Sequence, residues 1–276
     1  MKEWKVCDMI ELDPMLINEI AVRGKRIDGR PFEAYRDVQI ETGIVTSAEG
    51  SARVKLGDTE IVAGIKMEVG APYPDTQDEG VLTCSAELVP LASPEFESGR
   101  PGEEAIELAR VVDRAIRESK CLDMKKLCVK EGEAVWMIYV DMDVLNDDGN
   151  LIDAACLAAT AALASARMPK LVVEGDRYAV DYSVREGALP MSGIPISTTF
   201  AKIGPAIVAD PNIAEIKAMG ARLTIGTIDK DGEIKLCSMQ KGGERGLRLE
   251  EVDKIIDLAV AKGEELREKI RKAVGA

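Results

Sequence analysis

The chain has 276 residues, a formal net charge of −13 and a hydrophobic content of 46%, a composition typical of one large or two modest globular domains. It contains no histidine, which excludes Ser-His and Cys-His nucleophiles, histidine general bases and histidine-containing zinc sites. We find no run long enough for a transmembrane helix and no signal-peptide core, and therefore expect a cytoplasmic protein. Because the chain is acidic, any contact with nucleic acid would need a local basic patch.

The N-terminal third alternates between helical and extended patterns. Residues 1–22 are amphipathic and predict a helical lead, packed on the domain or on a neighbour. An arginine-rich turn follows at residues 26–31, with Arg36 soon after; taken alone, its arginines are consistent with surface ion pairs, which contribute little stability. Strands are predicted over residues 38–69, including a two-residue hairpin turn at Gly57-Asp58.

Residues 103–120 predict a helix whose acidic first turn suits the helix dipole. It carries two lines of side chains. The apolar line predicts the buried face and consists of Ile106, Ala109, Val112 and Ile116. The second line, about 110° further round on a 3.6-residue period, consists of Arg110, Arg114 and Arg117. The pattern alone favours a solvated face, with Asp113 paired to Arg117 and Glu107 near Arg110.

The central stretch, residues 135–169, predicts a strand, a tight turn and an alanine-rich helix that is buried almost all round. A helix that begins after such a turn offers free N–H groups and a partial positive charge to an anion. Phosphate sites usually add a hydroxyl and an arginine, and residues 146–152 contain neither. Asp147, Asp148 and Asp153 instead bring negative charge, so the turn is shaped for phosphate and charged against it.

The last third predicts a second α/β half. Residues 185–195 are rich in glycine and proline and predict a domain boundary. Strands within residues 196–209, a hairpin over residues 221–238 and a helix over residues 249–274 follow. We therefore divide the chain into a helical lead (1–22), a first domain (23–184) and a second domain (185–276).

The central turn resembles the first-domain signature of RNase PH-like proteins, the phosphorolytic 3′→5′ exoribonucleases. Active members carry Asp-Gly-Gly-Ser/Thr-Arg there, and the last three residues hold the attacking phosphate. Asp148 and Gly149 match this signature, whereas three positions depart from it: Asn150, Leu151 and Ile152. The resemblance implies an α+β fold, an α/β sandwich of two stacked halves with mixed sheets, the first half similar to the second domain of ribosomal protein S5.

Two further segments resemble the same family. The arginine-rich turn at residues 26–36 is similar to its opening segment. Active members also place two aspartates six residues apart in the second domain, one of them a candidate general acid or metal ligand; here Asp210 matches the first and Ile216 replaces the second. With one carboxylate left, we interpret Asp210 as a turn residue before proline. The resemblance thus implies no catalytic residue, no metal site and no cofactor in this chain.

The helix at residues 103–120 resembles a segment of one branch of the family, the larger non-catalytic subunits of the archaeal exosome core. In that branch, arginines matching Arg110 and Arg114 hold the RNA backbone; Arg117 lies on the same face and is our own assignment. The branch implies a hetero-hexameric ring, a trimer of dimers with a catalytic RNase PH-like subunit. It also implies RNA-binding cap subunits and single-stranded RNA as partners, and no membrane.

Two alternatives remain. The chain could itself be a phosphorolytic 3′→5′ exoribonuclease, although phosphate would then bind beside three aspartates. It could also be a small-molecule enzyme, with the acidic pairs Asp141/Asp143 and Asp147/Asp148 holding Mg²⁺. The sequence contains neither a P-loop nor a dinucleotide fingerprint to support the second alternative.

Overall fold

A computed structural model describes residues 13–175 and 177–275 of the chain. Within these residues the α-helices are α1 (Pro14–Val22), α2 (Glu103–Ser119), α3 (Leu151–Ser165), α4 (Ile213–Ala218) and α5 (Leu249–Val274), with a 3₁₀ turn at Met124–Leu127. The strands are β1 (Val38–Thr42), β2 (Gly50–Leu56), β3 (Thr59–Gly70), β4 (Val81–Leu88), β5 (Cys128–Lys130), β6 (Ala134–Asn146), β7 (Arg167–Glu174), β8 (Arg177–Ala188), β9 (Pro195–Ile203), β10 (Ala206–Ala209), β11 (Ala221–Lys230) and β12 (Glu233–Gly242).

The strands form two sheets and a separate hairpin. The first sheet has the order β1-β2-β3-β6-β4, with β5 added beside β6. It is mixed, because β6 runs parallel to its neighbour β4. The segment that contains α2 returns the chain to the end of the sheet at which β4 began, as a parallel connection requires. The second sheet is antiparallel in the order β10-β9-β11-β12, and β7 pairs with β8 alone.

Three helices lie between the two sheets. α3 packs on β2 and β3 of the first sheet and on β9 of the second, with α2 on one side of it and α5 on the other. Its small side chains allow this close packing. The approach is so tight at Gly50 that a Cβ there would lie 2.4 Å from the carbonyl oxygen of Ala162. The sequence-based prediction of two stacked α/β halves is confirmed; the first sheet is mixed and the second is antiparallel.

Several local predictions can be compared with these elements. Both predicted hairpins are present: Leu56 pairs with Thr59 across one turn and Lys230 with Glu233 across the other. The predicted boundary at residue 185 falls inside β8, which continues to residue 188. Only residues 14–22 of the predicted helical lead form α1, and residues 1–12 lie outside the described part. The domain division stays a prediction.

Candidate functional site

The turn between β6 and α3 has the backbone of an anion cradle. Gly149 and Asn150 both adopt positive φ, 85° and 55°. A side chain at residue 149 would also lie 2.6 Å from the backbone of Asn212 and Ile213, so only glycine fits. Thr59 holds the turn from behind, donating its hydroxyl to the Gly149 carbonyl at 2.7 Å. α3 begins at Leu151 without a side-chain cap, which leaves its first N–H groups open.

Behind the turn lies an arginine–aspartate network that centres on Asp210. Its buried carboxylate accepts hydrogen bonds from Arg30 Nη1 (2.8 Å) and from Arg36 Nε (2.9 Å) and Nη2 (2.8 Å). Arg36 also reaches the turn, donating to the carbonyl oxygens of Asp148 and Gly149. Asp210 lies in a bend before Pro211, with a positive φ of 48°, as a turn residue would, and it also centres this network. Arg30 and Arg36 are largely buried rather than surface pairs.

Charge pairing keeps this carboxylate ionised. Burial by itself would raise the pKa of Asp210, but the hydrogen bonds and charge of Arg36 outweigh burial and hold the pKa below its usual value. Removing such a partner from a buried carboxylate lowers the free energy of unfolding by several kcal/mol. The family's first aspartate is therefore used here to join residues 30–36 to the second sheet.

A second buried pair was missed by sequence reasoning. Arg26 has a fully buried side chain and donates to Glu215 through Nε (2.8 Å) and Nη2 (2.5 Å). The same guanidinium donates to the carbonyl oxygens of Ala209 and Asp210. Glu215 also completes a capping box with Asn212 at the start of α4. The Asn212-x-x-Glu215 spacing signals that cap, but no local pattern indicates that Arg26 folds against it.

Asp153, at the third position of α3, is fully buried. Its carboxylate accepts hydrogen bonds from Tyr35, Asn150 and Thr199. Burial raises the pKa of this carboxyl to about 6, and the hydrogen bonds only partly offset that rise. Its charge is thus enclosed by protein donors and is not presented to a ligand at the helix terminus.

The other two aspartates of the turn are also engaged. Asp148 pairs with Arg36 at 3.0 Å, and Asp147 accepts the N–H of Gly149 at 2.9 Å. Burial raises the pKa of both carboxyls. Most of the carboxylates that line the cavity at this turn belong to residues that the sequence analysis did not connect with it. They are Glu95, before α2, and Glu104 and Glu107, in the first turns of α2.

These carboxylates line a cavity of about 260 Å³ that also contains most of the predicted site. Gly149, Asn150, Leu151, Ile152 and Ile216 all line it. The structure therefore brings the altered turn and the altered acid position together, with Asp210 one hydrogen bond away through Asn150 (2.8 Å). Ile152 and Ile216 contribute apolar walls where active relatives would present an arginine and a carboxylate.

The three predicted RNA-binding arginines differ in their surroundings. Arg110 is exposed and makes no ion pair or hydrogen bond with any described residue, and Arg114 contacts Gln240 at 3.2 Å. Arg117 is held by Asp113 (2.7 Å) and by the carbonyl oxygen of Leu82 (2.9 Å). Arg110 and Arg114 are therefore the two side chains of this line best able to take an external phosphate.

Two details of the α2 prediction are wrong. Ile106 is 51% exposed rather than buried. The other three members of the apolar line, Ala109, Val112 and Ile116, are buried as predicted, and Leu108, Val111 and Ala115 widen the buried face. Glu107 pairs with Arg222 of β11 and not with Arg110. The buried face is shifted because α2 packs on both β4 and the second sheet, a double contact that a single-stripe pattern does not anticipate.

The described residues also bear on the small-molecule alternative. No group of three or more acidic or cysteine side chains among residues 13–175 and 177–275 could hold a metal ion. Asp141 instead accepts the hydroxyl of Ser85 on the outer face of the first sheet. In the same part of the chain, we find no helix with the length and hydropathy needed to cross a membrane.

Comparison with known proteins identifies the family. The model of domain 1 of the 3′ exoribonuclease family, RNase PH, matches residues 34–169, and that of domain 2 matches residues 193–262. The chain belongs to the RNase PH family of 3′ exoribonucleases. A curated member from Thermococcus kodakarensis, named exosome complex component Rrp42, is 48% identical over 275 residues, covering 100% of this chain and 99% of its own. A member of the same name from Methanothermobacter thermautotrophicus is 44% identical, covering 96% of each chain.

Solved members of the family have the same fold. A chain of the Archaeoglobus fulgidus exosome with RNA bound to the active site superposes with a TM-score of 0.83 at 44% identity, covering 93% of this chain and 96% of that one. A chain of an archaeal exosome core gives a TM-score of 0.79 at 39% identity, covering 94% and 96%. The RNase PH-like architecture predicted from the central turn is thus confirmed.

Proposed function

We propose that this chain is the Rrp42-type subunit of an archaeal exosome core, a phosphorolytic 3′→5′ exoribonuclease and RNA-tailing complex. In this role it is non-catalytic: it builds the ring with a catalytic RNase PH-like subunit and positions single-stranded RNA for that partner. Relatives of 44–48% identity that match nearly the whole chain are named as this exosome component. The solved chains of similar fold belong to exosome assemblies, one of them with RNA.

The proposal that this subunit is non-catalytic rests on one observation, the composition of the cavity at the altered turn. Active members hold phosphate there with a glycine, a hydroxyl and an arginine. Here the corresponding side chains are Asn150, Leu151 and Ile152, and Ile216 replaces the second aspartate. Isoleucine can neither donate a proton nor bind a metal ion. The cavity wall adds the carboxylates of Glu95, Glu104 and Glu107 to that of Asp147. Lys217 pairs with Glu95 and Arg222 with Glu107, so two carboxylates are left in excess and oppose a phosphate anion.

The RNA-binding role rests on α2. Arg110 and Arg114 lie one turn apart on its exposed side, a spacing that allows both guanidinium groups to grip one RNA backbone. Arg117 contributes less in this proposal, because Asp113 and Leu82 already occupy its Nε and Nη2 donors. RNA-binding cap subunits, a cytoplasmic location and the absence of a cofactor in this subunit stay predictions.

A phosphorolysis assay tests the proposal. Labelled RNA, inorganic phosphate and Mg²⁺ are incubated with this chain alone, with the catalytic RNase PH-like subunit encoded in the same genome, and with the reconstituted mixture. We expect nucleoside diphosphate release from the mixture and none from this chain alone. Robust phosphorolysis by the purified chain alone would favour the alternative, an exoribonuclease active in its own right.

Charge reversal on α2 tests the RNA-binding part. Arg110→Glu combined with Arg114→Glu should weaken RNA binding by the assembled complex. It should also reduce the slope of log affinity against log salt by about 0.7 per lost phosphate contact with single-stranded RNA. The matched control is Lys269→Glu with Lys272→Glu on α5, two exposed residues that carry the same change in charge. Equal effects of the two double variants would reject the assignment of α2.

A further inference from the structure

A groove lies between α2 and the edge of the first sheet, and we call it the α2–β4 groove. One wall is formed by α2 and the other by residues 82–86 of the edge strand β4. Its volume is about 420 Å³, within the range of ligand pockets, roughly 300–1,000 Å³. The part of α2 that contributes to it, residues 105–117, extends about 18 Å at 1.5 Å per residue. The groove therefore suits an elongated ligand.

The charged side chains of the α2–β4 groove leave one cation in excess. Three charged residues line it: Arg110, Asp113 and Arg117. Asp113 pairs with Arg117 at 2.7 Å, whereas Arg110 has no hydrogen bond or ion pair with any described residue. A guanidinium group with free donors matches the geometry of a phosphate group. This wall of an acidic chain is therefore a local site for a phosphate that belongs to a larger ligand.

An exposed aromatic ring also lines the groove. Tyr73 reaches it from the loop between β3 and β4 and is 53% exposed. Its backbone is constrained, because Pro72 and Pro74 flank it and the Thr76 N–H donates to its carbonyl oxygen at 3.1 Å to close a turn. Its hydroxyl has no hydrogen-bond partner among the described residues. The ring is thus held at the groove with little backbone freedom to lose on binding.

Tyr73 and Arg110 lie at different points along the groove. The pKa of the Arg117 guanidinium is raised mainly by its hydrogen bond with Asp113, and Tyr73 adds to that rise, which places the tyrosine toward the Arg117 end. Arg110 is two helical turns from Arg117, about 10 Å along the axis and on nearly the same side of α2. A chain of linked units can contact the ring and the free guanidinium at once, whereas one small molecule is too short.

The edge strand argues against a peptide as the occupant. A strand of another protein could add to the open edge of β4 through main-chain hydrogen bonds. Arg117 already donates from Nη2 to the Leu82 carbonyl oxygen at 2.9 Å, and so occupies an acceptor that such a strand would need. Single-stranded nucleic acid needs no ladder of this kind; it binds through cations along its backbone and aromatic faces for its bases. Arg110 and Tyr73 provide both.

We propose that the α2–β4 groove binds a segment of single-stranded RNA, with one base stacked on Tyr73 and the phosphate of a nearby nucleotide on Arg110. This inference rests on the proposed function and extends it, because it adds a contact with a base to the contacts of the arginine line with the backbone. Every base has a π-face, so a stacking site tolerates all sequences. The site therefore adds affinity without selecting a sequence.

The test uses the complex reconstituted from this chain and the catalytic RNase PH-like subunit of the same genome. Binding of labelled oligoadenylate is followed by fluorescence anisotropy without phosphate or Mg²⁺, so that the RNA stays intact. Tyr73→Ala should weaken binding about 5- to 150-fold, the range for one lost stacked base, and Tyr73→Trp should retain it. Because stacking involves no charge, Tyr73→Ala should leave the salt slope unchanged, whereas Arg110→Gln should reduce it by about 0.7.

Two controls separate stacking from an indirect effect. Tyr178→Ala makes the same change on β8, where the side chain is partly exposed, and should leave RNA affinity unchanged. An abasic oligomer of the same length keeps the phosphates but has no base to stack. It should bind the wild type and Tyr73→Ala equally, since the ring contributes nothing to its affinity.

The outcomes distinguish this groove from the proposed function. If Tyr73→Ala binds oligoadenylate as tightly as the wild type, or weakens the abasic oligomer equally, the stacking proposal is overturned. Loss of RNA binding by the double variant of Arg110 and Arg114 would in that case still support the function proposed for α2. Light scattering gives the mass of the complex; failure of Tyr73→Ala to assemble with the catalytic subunit would identify the groove as a protein interface and also overturn the proposal.

Discussion

Replacing Asp153 by asparagine should change how the stability of the chain depends on pH. Burial raises the pKa of this carboxyl from 3.8 to about 6. The native chain therefore keeps a proton that the unfolded chain has already released, and the free energy of unfolding falls as the pH rises between these values. A shift of this size corresponds to about 3 kcal/mol in total, of which about 1 kcal/mol is lost between pH 5 and pH 8.

Asparagine fits the same hydrogen bonds. Its Oδ1 can accept from Tyr35, Asn150 and the Thr199 N–H, as the carboxylate Oδ2 does now. Its Nδ2 can donate to the Thr199 hydroxyl, which in turn lies 2.9 Å from the hydroxyl of Thr224. Asp153→Asn should therefore fold, and its free energy of unfolding should not show this decline of about 1 kcal/mol between pH 5 and pH 8.

Urea unfolding at pH 5 and pH 8 measures this change in the wild type and the variant. The difference between their pH dependences isolates residue 153 from all other titrating groups. Asp75→Asn, in an exposed loop, is the matched control and should behave as the wild type does. Identical pH dependence in the wild type and Asp153→Asn would refute the reasoning.

Three further predictions concern stability. Arg36→Met should lower the free energy of unfolding, measured with urea, by about 3 kcal/mol, because Asp210 stays buried with fewer donors. When Asp210→Asn is added, the loss in the double variant should be smaller than the sum of the two single losses. Fully additive losses would contradict the coupling. Arg36 depresses the pKa of Asp210, so the stability from this pair is present above about pH 4 and is lost as the pH falls through the lowered pKa. Acid unfolding of Arg36→Met, followed by circular dichroism, should therefore begin at higher pH than that of the wild type. An unchanged midpoint would count against the pairing. Gly149→Ala should lower the free energy of unfolding in urea by about 2–4 kcal/mol, because an alanine there has a positive φ and its Cβ overlaps the backbone of residues 212 and 213. A loss below about 1 kcal/mol would show that the turn can relax.

The sequence supported the architecture because its signals were local. Alternation and turn residues located both hairpins, and the run of alanines in α3 predicted a helix buried between layers. The position of Ile106 could not be predicted in the same way. α2 is packed on two sheets at once, so its buried face is wider than one apolar stripe and is rotated away from that side chain.

The candidate site was predictable as a set of positions but not as a set of interactions. Asp148, Gly149 and the three residues that follow were located from the turn, and Ile216 from the spacing to Asp210. The charge near the turn was attributed to three aspartates: Asp147, Asp148 and Asp153. Of these, Asp147 lines the cavity, whereas Asp153 is enclosed by protein donors, and the structure adds the carboxylates of Glu95, Glu104 and Glu107. These glutamates are far from the turn in sequence, and only the folded chain brings them to it.

The Asp210 network explains how the fold tolerates an altered site. In a catalytic pair, two nearby carboxylates repel each other and need a metal ion or a proton. Here Ile216 removes one of them, and Arg30, Arg36 and Asn150 enclose the other. The remaining charge then stabilises the junction between the turn and the second sheet, since a buried carboxylate with several charged donors resists separation. Restoring an aspartate at residue 216 alone should therefore not restore phosphorolysis, because Asp210 is already committed to its arginines and the turn at residues 146–152 still contains no arginine, lysine or hydroxyl for phosphate.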